Sequence, residues 1–544
     1  MRFLSRYIIL FNCIYLSTKA QMIPVAVSQN AFLNNDSANP IDEYFIQYPD
    51  NKFHSSLKPF NYATLNKLND EKIPYKHLRI HNYLMTKTIS DTPNYRNQIS
   101  LQLLPQITIE QGRDLLTNRW TYNRSGGLYL KIEGNKKFTA AANYVAGYIS
   151  EPNFIDTIIQ QYRIIPGIGT AYKTQNDTGI NKTGAKYSFQ NFSGYVSYSP
   201  KKFINLQVGK DKHFVGDGYR SLLLSDVATN YPYLKTSLNI WHFQYSVWYS
   251  WFYNTQDANG MKRDFKNKYG TFHYLSWNAT KNINVSVFEN VIWQGTDSSH
   301  NRGFDANYLN PAVFFRPIEY SIGSSDNSML GLNCKATIAK RIKLYGQLML
   351  DEFYLKEVMA HKGWWANKQG FQVGVKYINA FGIKKLTLQS EFNYVRPYTY
   401  SHGSPNQSYS HYNQALAHPF GANFKEVIGI ATYRHYRYRL EGKLIYAEIG
   451  KDTLGFATSN VGQNIFLSYT TRNKDYGNYT GQGINTTFIQ AELKYSFYLI
   501  ADWNLRFEAG FVQRMYQNTK GFDKQTPFVY IGIKTNLYNI YRDY

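Results

Sequence analysis

From about residue 99 to Tyr544 the chain is a succession of short segments in which apolar and polar side chains alternate. Successive side chains of a strand point to opposite faces, so each segment has one apolar and one polar face. Ile99, Leu101, Leu103, Ile107 and Ile109 oppose Ser100, Gln102, Gln106, Thr108 and Glu110. Leu386, Leu388, Phe392 and Tyr394 oppose Thr387, Gln389, Glu391 and Asn393. Tyr436, Tyr438, Leu440, Leu444 and Tyr446 oppose Arg437, Arg439, Glu441 and Lys443. Trp503, Leu505, Phe507, Ala509 and Phe511 oppose Asn504, Arg506 and Glu508. Arg439 or Glu441 cannot face lipid cheaply, at roughly 2–4 kcal/mol for a midplane Arg or Lys. They need a wet, paired lumen. A soluble two-layer sandwich would instead turn the aromatic faces into water.

The connections also alternate. Tight turns, mostly basic, fall near Gly134–Lys137, Ser199–Lys202, Leu238–Ile240, Thr280–Asn282, Ala339–Arg341, Gly382–Lys385, Arg434-His435 and Ala501-Asp502. Between them lie long polar segments at 150–190, 211–232, 294–327, 396–422 and 450–483. Short turns on the periplasmic side and long loops outside are the layout of a bacterial outer-membrane β-barrel. Eight turns and nine loops predict about 18 antiparallel strands, the last near Thr526 to Tyr538. Pro105 in the first strand predicts a bulge or an early strand end, and Phe154 to Tyr162 reads as a short helix in the first long loop. Tyr541-Arg542-Asp543-Tyr544 reads as an aromatic terminus of the kind that outer-membrane barrels present for assembly.

The composition fits this all-β transmembrane class. Aromatic residues make up 17% of the chain and tyrosines number 49; barrels place such rings at the membrane–water boundary, ring buried and polar tip wet. With 18% charged residues, disorder is not expected. The formal charge of +23 resembles no nucleic-acid module and suits turns near lipid phosphates, or a lumen and loops suited to anionic glycans. Residues 1–20 read as a signal peptide, with Arg2 and Arg6 ahead of an apolar run too short to span, and a small-residue site ending at Ala20. Its removal leaves Cys334 as the one cysteine, so no intrachain disulfide forms. Residues 21–98 are polar and do not alternate. They read as a periplasmic segment, with a short helix or two within Glu43 to Lys67, that packs near or under the barrel of 99–544.

Three loop segments are dense in Gly, Pro, Asn, Tyr and charge. The first runs from His213 to Asp226 and on to Tyr231-Pro232-Tyr233. Arg220 between Asp217 and Asp226 reads first as an ion-pair knot that pins the loop, and second as a ligand contact. Leu222 to Leu224 imply that this loop folds back and narrows the lumen. The second segment holds Tyr308-Leu309-Asn310-Pro311, Arg316-Pro317, Glu319 and Ser324–Asn327. The third runs from Asn393 through Arg396-Pro397-Tyr398-Thr399-Tyr400-Ser401-His402 to Asn423. Tyrosine faces stack on a pyranose while amides, carboxylates and guanidinium groups bond its hydroxyls and acids; a headgroup belt with polar loops explains the same residues. The candidate polysaccharide contacts are Asp217, Tyr219, Arg220, Asn310, Arg396, Tyr398 and Tyr400. Signals for catalysis are weak. Asp351-Glu352 lie on a strand and point to opposite faces, and His402, His411 and His418 lack a metal spacing. No enzyme activity, metal or cofactor is expected.

Gly216–Leu222 with Leu224-Ser225-Asp226 and Tyr231-Pro232 resembles the signature of Wzi-type capsule-assembly outer-membrane proteins. Together with Tyr308–Pro311, Leu350–Phe353, Arg396–Ser401 and Leu416–Pro419, it is similar to the Bacteroidetes branch, which includes gliding-motility RemB proteins. The resemblance covers most of the region from about 95 to 544. It implies an 18-stranded barrel with helical material near its periplasmic end, in the outer membrane, holding capsular polysaccharide on the cell through external loops. Its alternatives are a surface component of gliding or adhesion machinery with protein partners, and a passive porin. Lipid or lipopolysaccharide would surround the barrel.

Overall fold

The computed structural model describes residues 30–61, 87–88, 99–134, 137–175, 184–256, 264–296, 302–311, 326–452, 460–535 and 537–544. The expected leader at 1–20, most of 62–98, the turn residues Asn135-Lys136 and the positions Arg316-Pro317, Glu319 and Ser324-Ser325 lie outside the described residues.

Eighteen antiparallel strands form one closed barrel. They are β1 (Ile99–Asp114), β2 (Arg119–Gly134), β3 (Phe138–Ser150), β4 (Lys186–Lys201), β5 (Ile204–Asp211) and β6 (Tyr231–Ile240). Then come β7 (Phe243–Asn254), β8 (Lys266–Asn278), β9 (Ile283–Gln294), β10 (Asn327–Ile338), β11 (Ile342–Glu352) and β12 (Lys368–Ile378). The sheet continues with β13 (Leu386–Val395), β14 (Phe424–His435), β15 (Tyr438–Lys451), β16 (Ile484–Ile500), β17 (Leu505–Asn518) and β18 (Asp523–Thr535). Each pairs with the next, and β18 closes on β1 from Phe528↔Asp114 to Lys534↔Thr108. The strand number and the alternation of turns and loops agree with the sequence reading. Trp241-His242 and Tyr436-Arg437 make two-residue turns, each with a left-handed first residue, at φ 55° and 50°. Helix α1 (Asn35–Gln47) precedes the barrel, and helix α2 (Asn153–Tyr162) lies in the long connection after β3, where the sequence places a helix.

One local expectation is corrected. Pro105 causes no bulge, since β1 and β2 keep register through Pro105↔Leu128. Among the described residues β18 reaches only Thr108–Asp114, so Pro105 sits where β1 has an edge free of that neighbour, and edges tolerate proline. Register shifts between barrel strands occur instead between Ile204 and Leu206 in β5, between Leu350 and Glu352 in β11 and between Tyr498 and Ile500 in β16.

The outer wall exposes Ile107, Ile109, Val208, Val373, Leu444, Leu493 and Ile531 around the barrel, with Trp241, Phe381 and Tyr436 ringing the turn end. That is the apolar band and aromatic girdle of a membrane barrel. Inside, the two halves of the lumen differ. Toward the turns the inward residues are polar or charged: Ser276, Asn284, Lys343, Lys376, Arg439, Glu441, Arg506 and Glu508. Toward the loops apolar residues dominate, Trp248, Phe252, Phe272, Ile292, Met329, Met349, Phe424, Ile445 and Ile449, with Lys268, Asn290, Asn393 and Glu426 buried among them. Only the turn-side half is the wet, paired lumen that alternation calls for; the loop-side half is a dry core.

Residues 30–61 occupy the polar half. Asn34 to Ser37 supply short polar residues of the type that start helices, and α1 opens with Asp36 in its first turn. Asp36 pairs with Arg439 and Arg506. Asp42 sits between Lys343 and Lys376, and Glu43 accepts from Arg434 and Thr387. Apolar burial on α1 and beyond it (Ala31, Ala38, Ile41, Phe53, Phe60) gives the segment a small core of its own. Farther on, His54 Nδ1 and Ser276 Oγ are 2.8 Å apart, and Asn278 donates to the Asn51 and Phe53 carbonyls. Burial lowers the pKa of His54 to about 3, so this histidine is neutral.

The chain beyond β18 also turns inward. The last strand ends at Thr535, short of the expected Tyr538, and Leu537–Tyr544 threads up the lumen rather than presenting an aromatic end at the membrane. Arg542 reaches Glu110 and Glu151, Tyr541 donates to Asp226, and Arg514 donates to the Tyr544 carbonyl at 2.9 Å. Arg542 and Asp543 explain the correction, because in lipid each would be an unpaired charge.

Replacing Asp42 by Ala removes the shared partner of Lys343 and Lys376, a loss of about 3–5 kcal/mol for a broken buried pair. The expected outcome is protease cleavage within 30–61 while the barrel keeps its heat-dependent gel mobility; an uncleaved segment would show that Asp42 does not hold it.

Candidate functional site

The first motif segment enters the lumen as the 212–230 loop. Phe214-Val215 pair antiparallel with Leu57-Lys58 of the N-terminal segment, and Ser55 and Ser56 both donate to Asp217. Lys343 Nζ lies 2.7 Å from Asp217. Burial opposes ionisation of Asp217, yet Lys343, Lys335 and Lys58 hold its pKa well below the carboxylate range. Gly218 is demanded by packing, since a Cβ there would stand 2.3 Å from Glu391 Oε2. Glu391 accepts the amides of Tyr219 and Arg220 at 2.8 and 3.1 Å.

Arg220 forms a knot, but with partners other than the expected Asp217 and Asp226. Its Nη2 donates to the Asp543 carbonyl at 2.8 Å and lies 3.1 Å from the Asp543 carboxylate, and its Nε is 3.6 Å from Glu426. The guanidinium lies over the rings of Tyr219 and Tyr541. Tyr219 and Lys443 complete the shell of Asp543 at 2.5 and 2.6 Å. Asp226 instead accepts from Asn539 and Tyr541. The loop is thus pinned to the tail by groups more than 300 residues away in sequence.

Above the knot Leu222, Leu223 and Leu224 are wholly buried, closing the lumen as their apolar run implies. The Leu222 and Leu223 carbonyls accept from Tyr400 and Tyr409 at 2.8 and 2.7 Å, and Ser225 Oγ donates to the Leu416 carbonyl. The third segment, 396–423, is therefore the other half of this seal. Tyr398 and Tyr400, expected to stack on a sugar, are each 1% exposed. Both have left-handed backbones, at φ 65° and 68°, which turn the rings down into protein. The Tyr398 hydroxyl donates to the Asn460 carbonyl, and burial raises its pKa to about 12.

The other candidates lie apart. Asn310 is exposed on a loop that descends over the outer wall of β7–β9, where Tyr249 donates to the Leu309 carbonyl at 2.9 Å and Tyr308 packs on Trp293. Asp217, Tyr219 and Arg220 are committed inside the lumen. Arg396 alone stands near the loop-end surface, donating to the carbonyls of Asn367 and Trp364. The seven residues do not form one surface. Each loop histidine has a different neighbour: His402 meets Tyr469, His411 sits among Tyr231 and Tyr253, and His418 lies 2.7 Å from Glu426. Asp351 and Glu352 are also corrected. The bulge at Asp351 brings both to Lys368, at 3.7 and 2.9 Å, in place of opposite faces.

The aromatic surface that sequence motifs did not single out is built from loops 353–367 and 460–483. Trp365 N donates to Asp475 O at 2.8 Å, Gly477 N to Lys362 O at 2.8 Å, and Asn478 N to Gly363 O at 2.9 Å, joining the two loops. Trp365 packs edge-on against Tyr398 at 6.2 Å and lies 4.8 Å from Tyr469, with the Arg472 guanidinium 4.1 Å from its centre. Tyr354, Tyr476 and Tyr479 are exposed around this centre. The Trp364-Trp365 doublet after a glycine in a polar loop was the available signal.

No family model and no curated protein matches the chain. Among solved structures it is similar to Wzi of Escherichia coli, an outer-membrane protein involved in group 1 capsule assembly and a carbohydrate-binding β-barrel. The two share 11% identity at a TM-score of 0.56, over 93% of this chain and 99% of Wzi. It is also similar to OprD of Pseudomonas aeruginosa, at 12% identity and a TM-score of 0.42 over 83% and 96%. The Wzi likeness shows the fold: an 18-stranded barrel of the outer-membrane type.

The Asp543 carboxyl is driven up by burial but held below the usual carboxylate range by Arg220 and Lys443. A carboxylate lowered on folding stabilises above its unfolded value of about 3.9, and that stabilisation is lost as pH falls through the folded value. The temperature of the gel-mobility transition is therefore expected to be flat from pH 8 to 5 as far as this group is concerned, and to fall only in stronger acid. Asp543→Ala, which leaves Arg220 with Glu426 alone and Lys443 with Glu492 alone, should lower it at pH 7 by an amount that vanishes in acid. A deficit that persisted unchanged in acid would contradict the assignment.

Proposed function

We propose that this protein is a non-conducting outer-membrane barrel that holds a surface polysaccharide at its loop end, with the short turns in the periplasm and the long loops facing the medium. One observation carries the reading. A barrel of 16–18 strands ordinarily leaves an aqueous channel, whereas here Leu222–Leu224 and the dry loop-side core cross the lumen. With passage blocked, the remaining work falls to the loop surface. The positive charge of the chain as a whole suits an anionic partner, and Wzi, similar in fold, is described as a carbohydrate-binding barrel involved in capsule assembly. No catalytic step belongs to this reading. The motif resemblance to the Bacteroidetes branch extends it to a capsule or slime layer on such a cell.

The test is the detergent-folded protein titrated with the native surface polysaccharide. Saturable binding that weakens as salt rises is the expected outcome. Absence of that binding, with capture of surface proteins instead, would move the function to gliding or adhesion machinery. In planar bilayers the wild-type protein should show no steady large conductance, and Leu222→Ser/Leu223→Ser/Leu224→Ser should raise leakage; a large open channel in the wild type would overturn the reading.

A further inference from the structure

We infer that the joined surface of loops 353–367 and 460–483 is the polysaccharide-binding subsite, and that it takes a chain of pyranose rings bearing carboxylates. The inference rests on the proposed function and adds the place and the class of sugar. Three features carry it.

The surface is built in advance. Besides the three main-chain bonds between the loops, Asn478 Nδ2 donates to the carbonyls of Gly363, Lys474 and Asp475. Gly363 has φ 65°, and a Cβ there would stand 2.7 Å from the Asn478 carbonyl, so the close approach requires glycine. Arg396, on the sealing loop, fixes the Trp364 carbonyl from below. A platform held this way loses little freedom on binding.

Its rings are presented rather than buried. Tyr479, Tyr354 and Tyr476 are 62%, 52% and 47% exposed. Trp364, half-buried, lies 6.1 Å from Tyr354 and 6.2 Å from Trp365, edge to face at 67° and 60°, so the rings form a contiguous series whose faces point in different directions. A membrane girdle accounts for aromatic side chains on the outer wall, but not for this series. It begins above the lumen, where Trp365 and Tyr469 pack over the buried Tyr398 and Lys368, and runs outward across the loops.

Its charge is positive. Lys356, Lys362, Arg472 and Lys474 stand against Glu357 and Asp475 in these segments. Asp475 is already matched by Arg472 at 2.6 Å, while exposed Lys356 and Lys362 flank the rings. Stacking faces bordered by lysines suit a sugar whose ring is flat on one side and whose acid points to the edge.

The experiment uses the detergent-folded full chain, polygalacturonate oligomers as the probe, dextran oligomers of equal length as the neutral control, and tryptophan fluorescence as the readout, since Trp364 and Trp365 are part of the surface. Saturable quenching by polygalacturonate, weakened by salt and weaker with dextran, is expected. Tyr476→Ala/Tyr479→Ala should raise the Kd by about tenfold, as lost stacking of roughly 1.4 kcal/mol would do, and Lys356→Gln/Lys362→Gln should remove most of the preference over dextran. These exposed side chains can change without unsettling the barrel, which heat-dependent mobility verifies. Polygalacturonate binding unchanged in both variants would overturn the subsite, and equal binding of dextran would overturn the anionic class. If the variants bind the native polysaccharide as the wild type does, the subsite fails while the proposed function stands. If the wild type binds neither probe nor native polysaccharide, both fail.

Discussion

The structure depends on one constraint: eighteen strands enclose more space than their own inward side chains can fill. The chain must then tolerate a water-filled channel or supply material to occupy it. It supplies four pieces, residues 30–61, the 212–230 loop, the 396–423 segment and the tail Leu537–Tyr544, and each brings the charges or apolar groups that its half of the lumen requires. Arg220, Asp217, Asp36, Asp42 and Asp543 are the points where these pieces meet the wall and one another. Each is buried, so its countercharge is a condition of burial rather than an ornament of stability.

This division of the lumen separates two jobs. The polar, turn-side half binds its fillers through ion pairs and hydrogen bonds, and the apolar, loop-side half seals by packing leucine and aromatic side chains across the axis. A rigid seal in turn gives the outer loops a floor. Tyr398 lies under Trp365, and Arg396 under Trp364, so the exposed rings rest on the same segment that closes the barrel. The exposed loop surface and the closure of the lumen are two consequences of one packing arrangement.

Most of the barrel was legible in the sequence because its determinants are local. Alternation marks the faces of each strand, short and long connections mark the two ends, and Leu222–Leu224 announce a loop that cannot remain in water. Arg220 was legible as a knot, but Asp543 and Glu426 were not legible as its partners, since nothing in the chain records which distant segments share the lumen. Tyr398 and Tyr400 looked like stacking residues because composition does not reveal the left-handed backbone that turns them inward. The Asp351-Glu352 pair misled for a similar reason: the strand period fails at a bulge. The exposed platform, by contrast, draws on two loops that no single motif spans.

The central claim is that the chain fills its own lumen. Hydrogen–deuterium exchange on the detergent-folded protein tests it most directly, read at 30–61 and 537–544. Slow exchange in both, comparable to the barrel strands, is the result this account requires. Exchange there at the rate of free peptide, with the strands still protected, would contradict it.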